Sequence, residues 1–302
     1  MNRNDMLSYG YLAAKGILAN FRSFKSDRTD KICYDFSCMQ FKELKEKYRI
    51  SEISGQGDNY TRAKRLLIHF SKRMAHDSMY DNHVECNSLA LLDYCYENPM
   101  HGINCLNKAK VLTECCLSIG IPARHVSIIP FSPYDDDSHV VTEIYDELNK
   151  KWVMMDPTLG GIFVDSERTP LSLLEIREHF ADNAFITFCS ATGRTKDLNV
   201  LEKKELESNW YICKNSFYFM TQKYQGFGPR EDDRLYFIPV GYSVLDNMIA
   251  SCRFRLDNIS DEYPKAKEII KTRLYVAENS TEPAGTDIQV LLAAPEEHRC
   301  RY

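Results

Sequence analysis

The segment GINCLNKAKVLTECCLSI, residues 102–119, predicts a single helix that has a cysteine near its start. Asn104 is a residue type that caps helix starts, and Gly120 is one that ends helices. Between them, apolar side chains recur at spacings of three and four, as on the buried face of a helix. These side chains are Ala109, Leu112, Cys116 and Ile119. The pattern predicts a helix from about Cys105 to Ile119.

Strand patterns follow this helix. Residues 123–131 are rich in β-forming side chains, and residues 139–145 and 151–156 predict two further strands joined by a short polar turn. We expect Asp146 to face Lys151 if the turn runs from Glu147 to Lys150.

This hairpin register would make His139 and Asp156 diagonal neighbours on one face of the sheet. A shift of one residue would put them on opposite faces, so the pairing depends on the register.

Cys105, His139 and Asp156 are the residue types that nucleophilic acyl transfer requires. The attacking species is a thiolate, which the unpaired N–H groups and the dipole of a helix start stabilise. An imidazole can take the thiol proton, and a carboxylate can hold that imidazole in the correct tautomer. Gly102 would let a substrate backbone approach closely. Alone, Cys105 would read as a buried structural thiol, but the combination favours a nucleophile.

The same residues resemble the core of the transglutaminase-like superfamily. The resemblance rests on three segments in the family's order: Gly102 to Cys105 followed by Gly120 to Arg124, then His139 with Glu143 and Tyr145, then Trp152 with Asp156 to Thr158. It covers roughly residues 60–180, and the whole chain also resembles bacterial proteins that carry this domain.

The resemblance implies an α+β, papain-like cysteine-enzyme fold. In that fold the nucleophile lies on a helix that packs against an antiparallel sheet. The resemblance also implies that Cys105 is the nucleophile, His139 the base and Asp156 the third member of a triad.

The family's oxyanion hole also uses a side-chain donor from upstream of the cysteine. Gln56, Asn82 and Asn104 are the candidates in this sequence. Trp152 is a further candidate for lining the site, although a core position beside the site is the simpler interpretation. The sequence does not choose among these residues.

The implied reaction is acyl transfer through a thioester on Cys105. The acyl donor would be an amide of a peptide or protein, and the acceptor an amine or water. One alternative is a cysteine peptidase or amidase, with water as the only acceptor. A second is an arylamine N-acetyltransferase, although no coenzyme A cleft is identifiable. A third is a binding scaffold that keeps the fold without turnover.

Composition excludes several other classes of protein. The chain has 302 residues and a formal net charge of −5, which argues against nucleic acid as the main partner. No stretch of 18 uncharged residues predicts a membrane span, and no secretory signal is recognisable. The eleven cysteines are therefore expected to be reduced thiols in a cytoplasm. Their spacing does not match a zinc site, so we expect no metal and no cofactor.

Three parts of the chain are predicted: an N-terminal helical extension (1–57), a catalytic core (58–184) and a C-terminal α/β extension (185–302). In the core, Thr169 and Pro170 look like the cap and first residue of a helix to about Ala181. In the C-terminal part we expect a helix near 199–209. We also expect strands there, near 234–244, 270–277 and 287–293.

Overall fold

The computed structural model describes residues 3–135, 137–190, 198–229 and 234–295. Within these residues the helices, in chain order, are α1 Arg3–Asn20, α2 Gln40–Lys47, α3 Ile50–Ser54, α4 Asn59–Arg73, α5 Ser88–Glu97, α6 Cys105–Ser118, α7 Leu173–Ala181, α8 Leu198–Asn215, α9 Val244–Asn258, α10 Pro264–Glu278 and α11 Gln289–Leu292. The strands are β1 Cys33–Tyr34, β2 Ala75–His76, β3 Gly102–Ile103, β4 Ala123–Ile129, β5 His139–Asp146, β6 Lys151–Met155, β7 Gly161–Val164, β8 Thr187–Ser190, β9 Tyr218–Gln222, β10 Tyr224–Gln225 and β11 Arg234–Phe237. The protein is thus a mixed α+β structure.

A five-stranded antiparallel sheet forms the centre of the fold, in the order β11-β9-β4-β5-β6. Asp146 pairs with Lys151, which is the register expected from the sequence. The two short strands β2 and β3 pair in parallel beside the start of α6, and β7 pairs with β8.

Helices cover both faces of this sheet, which explains why β5 is buried along nearly its whole length. Val141 belongs to an apolar cluster with Leu18 of α1 and Ile212 of α8. Its neighbour Thr142 points to the other face, where its hydroxyl donates to the backbone oxygen of Ala109 in α6 at 3.1 Å. Side chains alternate along a strand, so the two helical layers bury opposite faces.

The central sheet crosses the predicted boundary between residues 184 and 185. Strands β9 and β11 extend it beside β4, and β8 pairs with β7 across the same boundary. The C-terminal part of the chain therefore packs onto the same sheet as the core.

Two strand predictions in the C-terminal part are wrong. Residues 270–277 lie inside α10, and residues 289–292 form the short helix α11. The β-branched and aromatic side chains of α10 suggested a strand, but most of them are exposed. Its buried residues are Ile270 and Ala277, which are seven positions apart and so lie on one helical face.

The other C-terminal predictions are partly right. A strand forms at Arg234–Phe237 but ends well before Val244, where α9 begins. The helix expected near 199–209 exists but extends to Asn215.

Helix α7 begins later than predicted, because Ser172 and not Thr169 caps it. The Ser172 hydroxyl accepts from the backbone N–H of Glu175, whose carboxylate accepts from the backbone N–H of Ser172 in return. Pro170 remains extended because it bridges to Val164.

Candidate active site

Cys105 is the first residue of α6 and is partly exposed. Asn104 adopts an extended backbone, and its side-chain oxygen accepts from the backbone N–H of Asn107 at 3.2 Å. This cap satisfies one of the four N–H groups that a helix start leaves without a partner. The remaining N–H groups of this first turn lie beside Cys105, at the positive end of the helix dipole.

His139 and Asp156 form a buried ion pair at the end of the β5–β6 hairpin. His139 Nε2 lies 2.8 Å from Asp156 Oδ2, and the two side chains are 1% and 0% exposed. The register of the hairpin puts Asp156 opposite Val141, so His139 is its diagonal neighbour. The relation of these two residues that the sequence predicted is therefore the one in the structure.

A tight turn fixes the Asp156 carboxylate. Its Oδ1 accepts from the backbone N–H groups of Thr158 at 2.8 Å and Leu159 at 2.9 Å. The turn closes at Gly161, whose backbone oxygen accepts from the Asp156 N–H. One carboxylate oxygen is thus held by the turn while the other faces His139. This arrangement fixes the orientation of the imidazole.

The charges of this pair favour the imidazolium form of His139. Burial alone would lower the pKa of His139, but the charge and hydrogen bond of Asp156, with a further contribution from the Cys105 side chain, raise it to about 10. Burial likewise opposes the charge on Asp156, yet His139 and the turn N–H groups hold the pKa of this carboxyl below its usual value. Because Nε2 faces Asp156, Nδ1 is the ring nitrogen that does not meet this carboxylate.

The ring of Tyr211 in α8 packs against the ring of His139, a contact that sequence analysis missed. The two rings meet edge-on with centroids 5.1 Å apart. The Tyr211 hydroxyl donates to Asp137 at 3.2 Å, and Lys214 pairs with Asp135 at 2.9 Å. Helix α8 and the loop before β5 are therefore tied together over the histidine.

The candidate oxyanion donors divide into two groups. Asn82 has a left-handed backbone (φ 58°), and its side-chain oxygen accepts from the side-chain amides of Asn104 at 3.0 Å and Asn107 at 2.7 Å. Asn82 and Asn104 thus lie at the start of α6, beside Cys105.

Gln56 and Trp152 lie away from Cys105, Asn82 and Asn104. Gln56 precedes α4, whose first residue Asn59 donates to the backbone oxygen of Tyr145, at the end of β5 remote from His139. Trp152 pairs with Tyr145 at the same remote end. Its indole N–H donates to Ala293, and Arg124 stacks on its ring.

Nothing in the described residues forms a metal site: no group of three or more His, Cys, Asp or Glu side chains could hold an ion. Each cysteine in those residues is a free thiol. Over the same parts of the chain, no helix is long and apolar enough to cross a membrane.

Residues 47–157 match the family model of the transglutaminase-like superfamily, which confirms the resemblance seen in the sequence. The matched segment contains Cys105, His139 and Asp156, and it begins earlier and ends earlier than the range expected. In general terms this superfamily suggests cysteine-based acyl transfer or hydrolysis. No curated protein and no solved structure shows significant similarity to the chain.

Proposed function

We propose that this protein is a thiol enzyme that transfers or hydrolyses acyl groups through a thioester on Cys105. In this proposal His139 is the acid and base, and Asp156 orients and charges His139. The observation that carries the proposal is the buried His139–Asp156 pair at 2.8 Å, with Cys105 as a further partner of the ring.

The resting site would hold a thiolate and an imidazolium. Asp156 stabilises the positive charge on His139, and the helix start stabilises the negative charge on Cys105. The thiolate would attack an amide carbonyl, and His139 would give its proton to the departing nitrogen. The product of this half-reaction is an acyl-thioester on Cys105 and a free amine.

The oxyanion formed during attack needs hydrogen-bond donors beside Cys105. The backbone N–H groups of the first turn of α6 are one source. Asn82 is the proposed side-chain donor, because its oxygen is held by Asn104 and Asn107 and its NH₂ group remains free to donate. Asn104 acts in this proposal by holding Asn82.

The fold supports the same reading. A helix that begins with the nucleophile packs on an antiparallel sheet that carries the other two groups, as a papain-like fold requires. In the proposed organisation residues 58–184 supply the triad. Residues 1–57 and 185–302 extend the structure, and α8 contributes Tyr211.

The proposed acyl donor is a peptide or protein amide, with an amine or water as acceptor. The cover that Tyr211 gives His139 favours an enzyme over a binding scaffold, because a dry imidazole interacts more strongly with its carboxylate. Hydrolysis by water remains the second candidate, since Cys105 itself is partly exposed.

The test is the pH dependence of iodoacetamide alkylation at each cysteine, mapped by mass spectrometry. We expect Cys105 to be alkylated rapidly at pH values well below the usual thiol pKa of about 8.5. This rapid alkylation should be lost in His139→Gln. The buried thiol of Cys116 is the control within the same helix. A Cys105 that alkylates at the same rate in wild type and His139→Gln would contradict the proposal.

A further inference from the structure

Lys214 of α8 is a mostly buried cation outside the candidate triad, with a side chain that is 10% exposed. Its ammonium group donates to the Asp135 carboxylate at 2.9 Å, to the backbone oxygen of Asp137 at 3.0 Å and to the Asn215 side-chain oxygen at 3.4 Å. An ammonium group has three N–H donors, so these acceptors occupy all of them. Lys214 therefore holds other parts of the chain and has no donor left for a substrate.

The ammonium group also lies over two aromatic rings of its own helix. Its nitrogen is 5.1 Å from the centre of the Tyr211 ring and 5.7 Å from that of the Trp210 ring. Residues three positions apart share a helix face, so Tyr211 and Lys214 project in the same direction. The Tyr211 ring packs against His139, and its hydroxyl donates to Asp137 at 3.2 Å. Only one ring thus separates Lys214 from the candidate base.

The loop that Lys214 holds leads directly into β5. Asp137 is two residues before His139, the first residue of that strand. The C-terminal part of the chain holds the other end of this loop as well, since the Asn247 side-chain amide donates to the Phe131 backbone oxygen at 2.9 Å. A loop that is fixed at both ends gives the next residue a fixed starting position. The contacts of Lys214 therefore bear on where the His139 ring lies.

We propose that Lys214 is a positioning residue for the candidate reaction. It fastens the loop before β5 to α8 and so keeps the imidazole of His139 aligned with Cys105. This inference rests on the function proposed above. It also makes α8 a necessary part of the active unit, because residues 58–184 alone lack the cation that fixes the histidine.

Charge explains why a cation is needed at this point. The carboxylates of Asp135 and Asp137 lie 2.9 and 3.8 Å from the Lys214 nitrogen. Without the cation, two negative groups would remain close together at a partly buried position and would repel each other. They could regain water only if the loop moved away from α8. This movement would shift the start of β5 and separate Tyr211 from His139.

The experiment follows the burst of p-nitrophenolate that the full chain releases from p-nitrophenyl acetate, at several substrate concentrations. The burst reports acylation of Cys105. Lys214→Met puts an apolar side chain of similar length in place of the cation, and the maximal burst rate should fall about 10–10²-fold, as for a misplaced catalytic group. The substrate concentration that gives half of this rate should not change. Lys214→Arg should recover much of the rate, since a guanidinium can donate to the same oxygens.

Two controls separate positioning from a general loss of stability. Lys151→Met is the matched variant, because Lys151 also pairs with a carboxylate, that of Glu175 at 2.7 Å, but lies at the end of the β5–β6 hairpin remote from His139. It should leave the burst unchanged. The second control combines Lys214→Met with Tyr211→Ala. If Lys214 acts through the Tyr211 ring, the double variant should lose less than the product of the two single losses.

Asp135→Asn keeps the inference testable if Lys214→Met does not fold. It weakens the same ion pair from the more exposed partner and should lower the maximal burst rate by a smaller factor. An unchanged rate in Lys214→Met, or in Asp135→Asn if the first variant is unfolded, would overturn the assignment.

Three further results would also overturn the positioning role of Lys214. They are an equal loss in Lys151→Met, independent effects of Lys214→Met and Tyr211→Ala, and a changed half-saturating concentration at an unchanged maximal rate. A wild-type protein without a burst, or a burst that persists in Cys105→Ala, would instead contradict the proposed function, and this inference would fall with it.

Discussion

The two ends of helix α6 hold cysteines in opposite environments. Cys105 begins the helix, is partly exposed and contributes to the raised pKa of His139. Cys115 and Cys116, near the other end, are fully buried. Burial raises the pKa of Cys116 to about 12 and that of Cys115 well above its usual value. The chemistry of a thiol therefore depends on its place in the fold, and one helix can carry both an inert and a reactive cysteine.

The largest expected effect is the difference in enzymatic activity between substitutions at the two ends of α6. Cys105→Ala should lower turnover of p-nitrophenyl acetate by at least about 10³-fold, because no other thiol lies beside His139 in the described part of the chain. Cys116→Ala should keep full turnover. The comparison fails if the two variants lose similar amounts of activity in steady-state assays.

The next effect concerns the orientation of His139. Asp156→Asn should slow acylation by about 10²–10⁴-fold, because an amide neither charges the ring nor selects its tautomer. Asp165→Asn is the matched control. Asp165 also accepts backbone N–H groups in a turn, from Glu167 and Thr169, and the histidine whose charge reaches it is His179, outside the candidate site. The acylation rate is measured from the initial burst of p-nitrophenolate that p-nitrophenyl acetate releases. An equal loss of this rate in both variants would show that turn stability alone explains the effect.

Substitution of Tyr211 should have a smaller effect, on the reactivity of Cys105 at the start of α6. Tyr211→Ala exposes His139 to water, which weakens its interaction with Asp156, so the alkylation rate of Cys105 should fall about tenfold near neutral pH. Tyr211→Phe keeps the ring and removes only the bond to Asp137, so it should react almost as wild type. A loss in Tyr211→Phe as large as in Tyr211→Ala would assign the effect to the hydroxyl and its bond to Asp137.

A substitution at the buried end of α6 should change the stability of the protein but not its activity. Cys116→Ser puts a hydroxyl into an apolar cluster and should lower the free energy of unfolding by about 1–3 kcal/mol. Turnover per folded molecule should not change. Urea unfolding and an activity assay on the same sample check both statements, and reduced turnover in the folded protein would contradict the separation.

Stability should also depend on pH through His139. Its pKa is raised from 6.5 to about 10 on folding, so the protonated ring stabilises the fold fully below the lower value. This contribution is lost as the pH rises through the upper value. The difference in unfolding free energy between wild type and His139→Gln should therefore shrink between about pH 6 and pH 10. A constant difference would contradict the charged pair.

Local signals explain what the sequence could predict. Asn104 caps α6 through its own side chain, and the β5–β6 hairpin has a short turn that sets its register, so the helix start at Cys105 and the pairing of His139 with Asp156 were predictable. The contact of Tyr211 with His139 was not predictable. It depends on how α8 packs against a distant part of the chain, and no spacing in the sequence reports such packing.

The errors have a related cause. Helix α10 contains several β-forming side chains, of which Ile269, Tyr275 and Val276 are exposed, and tertiary packing buries only one side of the helix. Gln56 was a candidate because it precedes Cys105 in the sequence. In the fold α4 begins beside the far end of β5, so order along the chain did not give proximity.

The most direct test of the central claim is to locate the acyl group itself. The protein is mixed with p-nitrophenyl acetate, quenched in acid during the burst, digested and mapped by mass spectrometry. We predict a single acetyl group on Cys105, removed by hydroxylamine and absent from Cys115 and Cys116. Acetyl groups spread over surface lysines or other cysteines, with Cys105 unmodified, would contradict a thioester at the start of α6.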